Sequence, residues 1–164
     1  MGTLGWIGIA LVLVVAAGGA WVATLPAEAS ATRTATLPAP PEAVFARVAD
    51  PAGQPAWRSD LQQVRIGPDG SWTETTRRGI EIRFREQRRE PATAYDLAFD
   101  SPSGFQGNWQ GRFRPAAGGT EVTFTETVRI EGRLSRALAR LFAPPGAHID
   151  LYLADLRRSL APPR

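Results

Sequence analysis

Glu126 is the residue whose type and position most suggest chemistry. Apolar and polar residues alternate along Glu121–Ile130, which predicts a strand with one apolar face formed by Val122, Phe124, Val128 and Ile130. Glu126 falls on that face, where a carboxylate is costly unless it is paired, hydrated or functional. A buried acid with a raised pKa could act as general acid or base in an enolisation, cyclisation or dehydration. The other interpretations are an ion pair with Arg58, Arg78 or Arg112, or a bulge that turns Glu126 outward.

Two further carboxylates, Glu74 and Glu86, fall on the predicted inner face of their strands when side chains alternate along each strand. Glu86 follows Ile82 and Phe84 at a spacing of two, so it points the same way as they do. Strand ends tolerate solvated charges, and Glu126 is therefore the preferred candidate among the three.

Large rings share the predicted inner face with small residues. Trp109 and Phe113 have the same parity as Gly107 and Gly111, and rings beside glycines can shape a pocket for a flat apolar ligand. The alternative is that the rings fill the core. The predicted ligand-binding residues are Trp72, Glu74, Phe84, Tyr95, Phe99, Trp109, Phe124, Glu126 and Tyr152.

Composition excludes several other kinds of site. The 164 residues contain no cysteine, which excludes disulfides and thiolate zinc sites, and His148 is the only histidine. No phosphate loop, nucleophile elbow or dinucleotide fingerprint is present. We therefore expect no metal and no cofactor. His148 begins the last predicted helix, where an exposed or capping residue is expected rather than a catalytic base.

The basic residues are all arginine, and the net charge is only +3. No basic helix with base-reading residues stands out, so no nucleic-acid partner is expected. The arginines between Arg77 and Arg89 could form an anion-binding patch, but Arg83 and Arg85 alternate with Ile82 and Phe84, as on the solvated face of a strand. In Leu134–Phe142, leucines and Phe142 form one face and arginines another. Such a helix could lie on an anionic bilayer or pack over a cavity.

The N-terminal segment is uncharged from Leu4 to Leu25. Roughly 22 apolar residues are enough to cross a bilayer, and Trp6 and Trp21 lie near the ends, where indole rings favour the interface. This predicts a single-pass anchor with the following domain outside the cytoplasm. A cleaved signal peptide is the alternative, because small residues around Ala27–Ala31 resemble a cleavage pattern.

The elements that must position these residues follow from periodicity and turn signals. Residues 1–26 are assigned to the anchor, 27–31 to a linker and 32–161 to one domain. Predicted strands are Thr32–Leu37, Leu61–Ile66, Ser71–Arg77, Ile80–Arg89, Tyr95–Phe99, Phe105–Arg114 and Thr120–Ile130. Predicted helices are Glu42–Ala49, a short one through Trp57, Leu134–Phe142 and Ala147–Leu160. In the last helix, Ile149, Leu153, Leu156 and Leu160 form one apolar stripe.

This order resembles the START-like or SRPBCC superfamily, the helix-grip fold of the polyketide cyclase/dehydrase and lipid-transport group. The run Leu37-Pro38-Ala39-Pro40-Pro41-Glu42-Ala43-Val44-Phe45 is similar to the family's first strand and first helix. Weaker similarities lie in Asp50–Trp57, in Ser71–Glu74 and in Gly118–Phe124. The resemblance implies an α+β fold in which an antiparallel sheet wraps the terminal helix around a cavity. It implies ligands that are lipids or other hydrophobic molecules, and it transfers no catalytic residue.

Three functions remain open at this point. The first is a membrane-anchored binding domain for a hydrophobic small molecule or lipid, without covalent chemistry. The second is a cyclase- or dehydratase-type enzyme that uses Glu126 as acid or base. The third is a scaffold domain with a filled core. A cavity would favour the first two over the third.

Overall fold

The computed structural model describes residues 19–161. Residues 19–24 are helical. The elements that follow are β1 (Glu28–Leu37), α1 (Pro41–Val48), a 3₁₀ helix (Pro51–Ala56), β2 (Leu61–Ile66), β3 (Trp72–Thr76), β4 (Glu81–Glu90), β5 (Ala94–Ser101), β6 (Phe105–Ala116), β7 (Gly119–Ile130), α2 (Arg133–Phe142) and α3 (Ala147–Ser159).

The strands form one antiparallel sheet in the order β1-β7-β6-β5-β4-β3-β2. Apart from β1, which pairs with β7, each strand pairs with its neighbour in sequence, as expected for strands joined by tight turns. Phe84, Phe99 and Gly107 lie in register across β4, β5 and β6. This row belongs to the apolar face of the sheet, as the alternation in the sequence predicts.

β1 is longer than predicted and is paired with β7 over its whole length, from Glu28 to Leu37. The residues assigned to a linker are therefore almost all in the sheet, because Ala29 and Ala31 pair with Val128 and Glu126. Hydroxyl groups reinforce the pairing, with Thr32 and Thr125 oxygens 2.9 Å apart and Thr127 donating to Ser30 at 3.0 Å. The division between an anchor and a domain near residue 26 stays a prediction.

α3 packs on the apolar face of the sheet through Ile149, Tyr152 and Leu156, which are all buried. Tyr152 contacts the rings of Phe124 and Trp109 at centroid distances of 5.8 and 6.2 Å. The buried stripe is rotated from the predicted one, since Leu153 is only partly buried.

Asp155, which is not one of the residues of the predicted apolar stripe, is also buried. Its carboxylate is satisfied there because it accepts hydrogen bonds from the backbone N–H and the hydroxyl of Ser59 and from Arg158.

α1 closes the other end of the core. Pro41 occupies its first turn, where proline is tolerated, and Val44, Phe45 and Val48 are buried. The Phe45 ring meets Phe113 and Tyr95 edge-on at 5.4 and 5.9 Å. A seven-stranded antiparallel sheet with a C-terminal helix on its face is the predicted helix-grip α+β fold.

Within residues 19–161, no helix has both the length and the apolarity needed to cross a bilayer. Most of the predicted span Leu4–Leu25 lies outside the described residues, so that span remains a prediction.

Candidate ligand-binding site

An apolar cavity of about 400 Å³ lies between the sheet and α2. Small residues of β1, branched residues of β4 and β7, and the rings of Phe84, Phe99 and Phe105 form its walls. Ala139 and Ala143 form its roof. Because alanines from both β1 and α2 face it, the side chains do not fill the space.

The break Pro144-Pro145-Gly146 explains why the cavity is there. α3 begins only at Ala147, so this helix covers the part of the sheet around Phe124 and leaves the neighbouring part to α2. Gly146 has φ +89°, a conformation that favours glycine, and a side chain there would meet the guanidinium of Arg33. The feature that sets the shape of the cavity mouth is therefore a backbone turn.

One corner of the cavity is charged. His148 Nδ1 lies 3.2 Å from Glu126 Oε1, and His148 Nε2 lies 3.5 Å from Asp60 Oδ2. All three residues border the cavity. Glu126 is therefore on the inner side of β7, as its parity predicts, but its partner is the histidine rather than one of the three arginines considered.

The two carboxylates favour the charged imidazolium. Burial opposes that charge, but the hydrogen bonds with Asp60 and Glu126 outweigh burial and raise the pKa of His148 to about 9. Burial likewise opposes ionisation of Asp60, yet hydrogen bonds from His148 and Arg58 hold the pKa of Asp60 well below its usual range. At neutral pH the His148 imidazolium therefore lies between Asp60 and Glu126, with a guanidinium nitrogen of Arg58 3.4 Å from its Nε2 atom.

Glu74 belongs to a separate buried network behind this corner. Arg58 donates to Glu74 Oε2 at 2.7 Å, to Gln54 Oε1 at 2.7 Å and to Asp60 Oδ2 at 2.8 Å. Trp72 Nε1 donates to the second Glu74 oxygen at 3.2 Å. Burial would lower the pKa of Arg58, but the charges of Glu74 and Asp60 raise it above its usual value. Every strong donor and acceptor is paired, which indicates a structural role.

The sequence alone does not predict this network, because a glutamate in the position of Glu74 near a strand end is expected to be solvated. Asp60, which joins the network to the corner, was not singled out at all. A signal was present in Arg58-x-Asp60, a cation and an anion two residues apart directly after Trp57. That signal becomes specific only when the fold brings Glu74 to Arg58.

The predicted ligand-binding residues divide into two groups. Phe84, Phe99 and Glu126 line the cavity. The others lie outside its lining and are buried in the core: Trp72, Glu74, Tyr95, Trp109, Phe124 and Tyr152. Trp109, expected to share the cavity with Glu126, pairs with it in the strand register but packs against Phe124 at 4.8 Å. Contact of these residues with a ligand stays a prediction.

The other predicted charges lie outside the cavity lining. Glu86 shares the inner parity, but a register shift follows it in β4, and its exposed side chain pairs with Arg89 at 2.8 Å. Arg83 and Arg85 are exposed, which confirms the interpretation of a solvated strand face. Arg112 pairs with Asp96 and not with Glu126. Among residues 19–161, no group of histidine and carboxylate side chains has the geometry of a metal site.

Comparison with known families agrees with this geometry. The family described as polyketide cyclase/dehydrase and lipid transport matches residues 28–158. The chain belongs to that family. The match begins at the first residue of β1 and ends within α3, so the family's domain includes the sheet, the cavity and the charged corner. No curated protein matches the sequence.

Solved structures show the same fold at low identity. A START superfamily protein from Mycobacterium smegmatis is 12% identical, with a TM-score of 0.60, over 80% of this chain and 96% of that one. A conserved protein from Geobacillus kaustophilus is 13% identical, with a TM-score of 0.63, over 80% and 95%. Ara h 8.0201 is 14% identical, with a TM-score of 0.59, over 81% and 97%. The family's fold is compatible with binding of hydrophobic ligands.

Proposed function

We propose that this family member is a membrane-anchored binding domain that holds a hydrophobic small molecule or lipid in the cavity beneath α2. The observation that carries the proposal is the apolar cavity of about 400 Å³. Small-molecule sites typically enclose about 300–1,000 Å³ with mostly apolar walls and a few polar groups. A scaffold domain would instead have a filled interior, so the cavity argues against that interpretation.

The lining indicates what kind of molecule fits. Phe84, Phe99 and Val128 offer only apolar contacts, and each methylene group that a ligand buries there contributes about 0.8 kcal/mol. The charged corner can orient one polar group of the ligand, because the Glu126 carboxylate can accept further hydrogen bonds beside its contact with His148. We therefore infer a ligand with an apolar body and a polar end.

The anchor is the second part of the proposal. The uncharged run Leu4–Leu25 supports it, since its length suits a bilayer core. We place the domain outside the cytoplasm, because long domains cross the membrane largely regardless of charge and the arginines of this domain therefore do not keep it inside. Protease added to intact cells or spheroplasts should cut the domain. If the domain is protected from the protease until the membrane is lysed, the domain lies on the cytoplasmic side instead.

Ligand binding is tested on the full chain, purified in mild detergent. Native mass spectrometry should detect a co-purified molecule, which extraction and chromatography then identify. Ala139→Trp places an indole in the roof of the cavity, so this variant should lose the bound molecule. Ala46→Trp is the matched control, because it makes the same change on the exposed side of α1. Equal retention by both variants would show that the molecule is not in this cavity.

A second candidate function is proton transfer at the charged corner. The observation that favours it is the pairing of a carboxylate and an imidazole at the wall of an apolar cavity. For an enzyme, Glu126→Gln should bind its substrate but lose turnover roughly 10²–10⁴-fold. For a carrier, the same variant should keep its fold and change affinity modestly. Incubating the co-purified molecule with the protein in D₂O distinguishes the enzyme from the carrier, since only an enzyme would exchange a carbon-bound hydrogen of that molecule for deuterium.

A further inference from the structure

Helix α2 presents its apolar side away from the domain. Leu134, Leu138, Leu141 and Phe142 are 69%, 48%, 64% and 76% exposed. The opposite side of the helix faces the cavity and carries Arg136, Ala139 and Arg140. A surface helix of a globular domain normally has the reverse orientation, with its apolar stripe toward the core.

The orientation of α2 is held by specific contacts. Gly132, at φ +83°, turns the chain out of β7 into the helix. Arg136 then donates to the carbonyl of Ile130 at 3.0 Å and to that of Leu25 at 3.4 Å. The cationic side is therefore tied to the end of the sheet and to the N-terminal segment. The four apolar side chains form a contiguous patch of the kind that marks an interaction surface.

The N-terminal segment indicates what covers the patch. The uncharged run that starts at Leu4 ends at Leu25, the residue that accepts the hydrogen bond from Arg136. Trp21, four residues earlier, is 44% exposed, and indole rings favour the membrane interface. The place where this run meets the domain is thus beside α2. The exposed Arg133 lies at the start of α2, away from the leucines, where a long basic side chain can reach lipid phosphates.

We propose that α2 lies in the plane of a lipid bilayer surface, with Leu134, Leu138, Leu141 and Phe142 inserted at the boundary between headgroups and acyl chains. Amphipathic helices bind in this way when one side is apolar and the other basic. This contact is distinct from the predicted transmembrane anchor, because the anchor alone would not fix which side of the domain faces the bilayer. Docking of α2 sets the cavity directly behind the membrane surface, which, resting on the proposed function, places the binding site next to a source of lipid.

The chain contains no cysteine, which permits a depth measurement at a single site. Leu138→Cys is labelled with the environment-sensitive fluorophore NBD in the full chain. The protein is then reconstituted in phosphatidylcholine–phosphatidylglycerol vesicles that contain lipids with doxyl groups on their acyl chains. Ala117→Cys is the control, because it lies in the exposed turn at the opposite end of β7. We expect the doxyl lipids to quench the label at residue 138 and not at 117, and iodide to do the reverse.

A second set of variants tests whether the apolar side causes this insertion. Leu134→Asn with Leu141→Asn should abolish doxyl quenching of the label at residue 138. Ile66→Asn with Leu151→Asn should leave it intact, since these exposed residues lie on other elements. Equal access of iodide to residues 138 and 117 would overturn the proposal. So would shielding of residue 138 from both quenchers, because the N-terminal segment or a second copy would then cover the patch.

Discussion

The charge of His148 offers the sharpest test of the cavity corner. The pKa of this imidazole is raised from 6.5 to about 9, since hydrogen bonds with Asp60 and Glu126 outweigh the opposing effect of burial. Because the pKa of the folded state is the higher one, the charged imidazolium stabilises the fold in full below pH 6.5. That contribution is lost as the pH rises through about 9.

The size of this contribution follows from the two pKa values. A difference between about 9 and 6.5 corresponds to about 3 kcal/mol, at about 1.4 kcal/mol for each tenfold change in proton affinity. The side chain is 41% exposed, so solvent screens the two ion pairs. We therefore expect about 1–2 kcal/mol of the free energy of unfolding to disappear between pH 7 and pH 10.

The assay is direct because the chain has a single histidine. The imidazole resonances of the full chain in detergent micelles can be titrated by NMR without assigning any other histidine. Glu126→Gln and Asp60→Asn should each lower the pKa of His148, since each removes one negative partner. Asp150→Asn should leave it unchanged, because this carboxylate pairs with Arg33. A wild-type His148 that titrates at or below pH 6.5 would refute the geometry of the corner.

Three other predictions concern stability and can be measured by thermal or urea unfolding of the same preparation. Arg58→Met should lower the free energy of unfolding by about 3–5 kcal/mol, because it leaves Glu74 as an unpaired buried charge. The double variant Arg58→Met with Glu74→Met should recover most of that loss. An Arg58→Met variant as stable as the wild type would show that the pair is not buried. Leu156→Asp should unfold the domain, whereas Leu153→Asp should destabilise it less, because Leu153 is only partly buried. A larger loss of stability in Leu153→Asp than in Leu156→Asp would mean that the helix is rotated about its axis. Gly146→Ala should cost about 1–2 kcal/mol for its left-handed backbone, and no loss would indicate that the turn is not needed.

The sheet and its inner face could be predicted from the sequence because strand alternation is a local property. Val122 and Phe124 are buried as their parity requires, and Glu126 is on the cavity side of β7. The strand ends differ by a few residues, and β1 differs most. Its extra residues, Glu28–Ala31, have no strong strand preference of their own, and they pair because β7 offers them an edge.

The site could be predicted only in part, because its remaining features depend on distant contacts. Nothing in the local sequence of Glu74 shows that Arg58 will meet it across 16 residues of chain. The position of the cavity depends on the turn at Gly146, which sends α2 and α3 to different parts of the sheet. The apolar side of α2 was visible in the sequence, but the direction in which it points was not.

The pairing of β1 has a mechanical consequence. β1 is the edge strand nearest the N-terminus, and it is hydrogen-bonded to β7 along its entire length. A pull on the N-terminal segment along the axis of β1 would therefore have to break many bonds of the antiparallel ladder together, instead of opening them one at a time. Only residues 26 and 27 separate Leu25 from this ladder. Force applied at the N-terminus along this axis thus loads the sheet in shear, through the whole length of one edge strand.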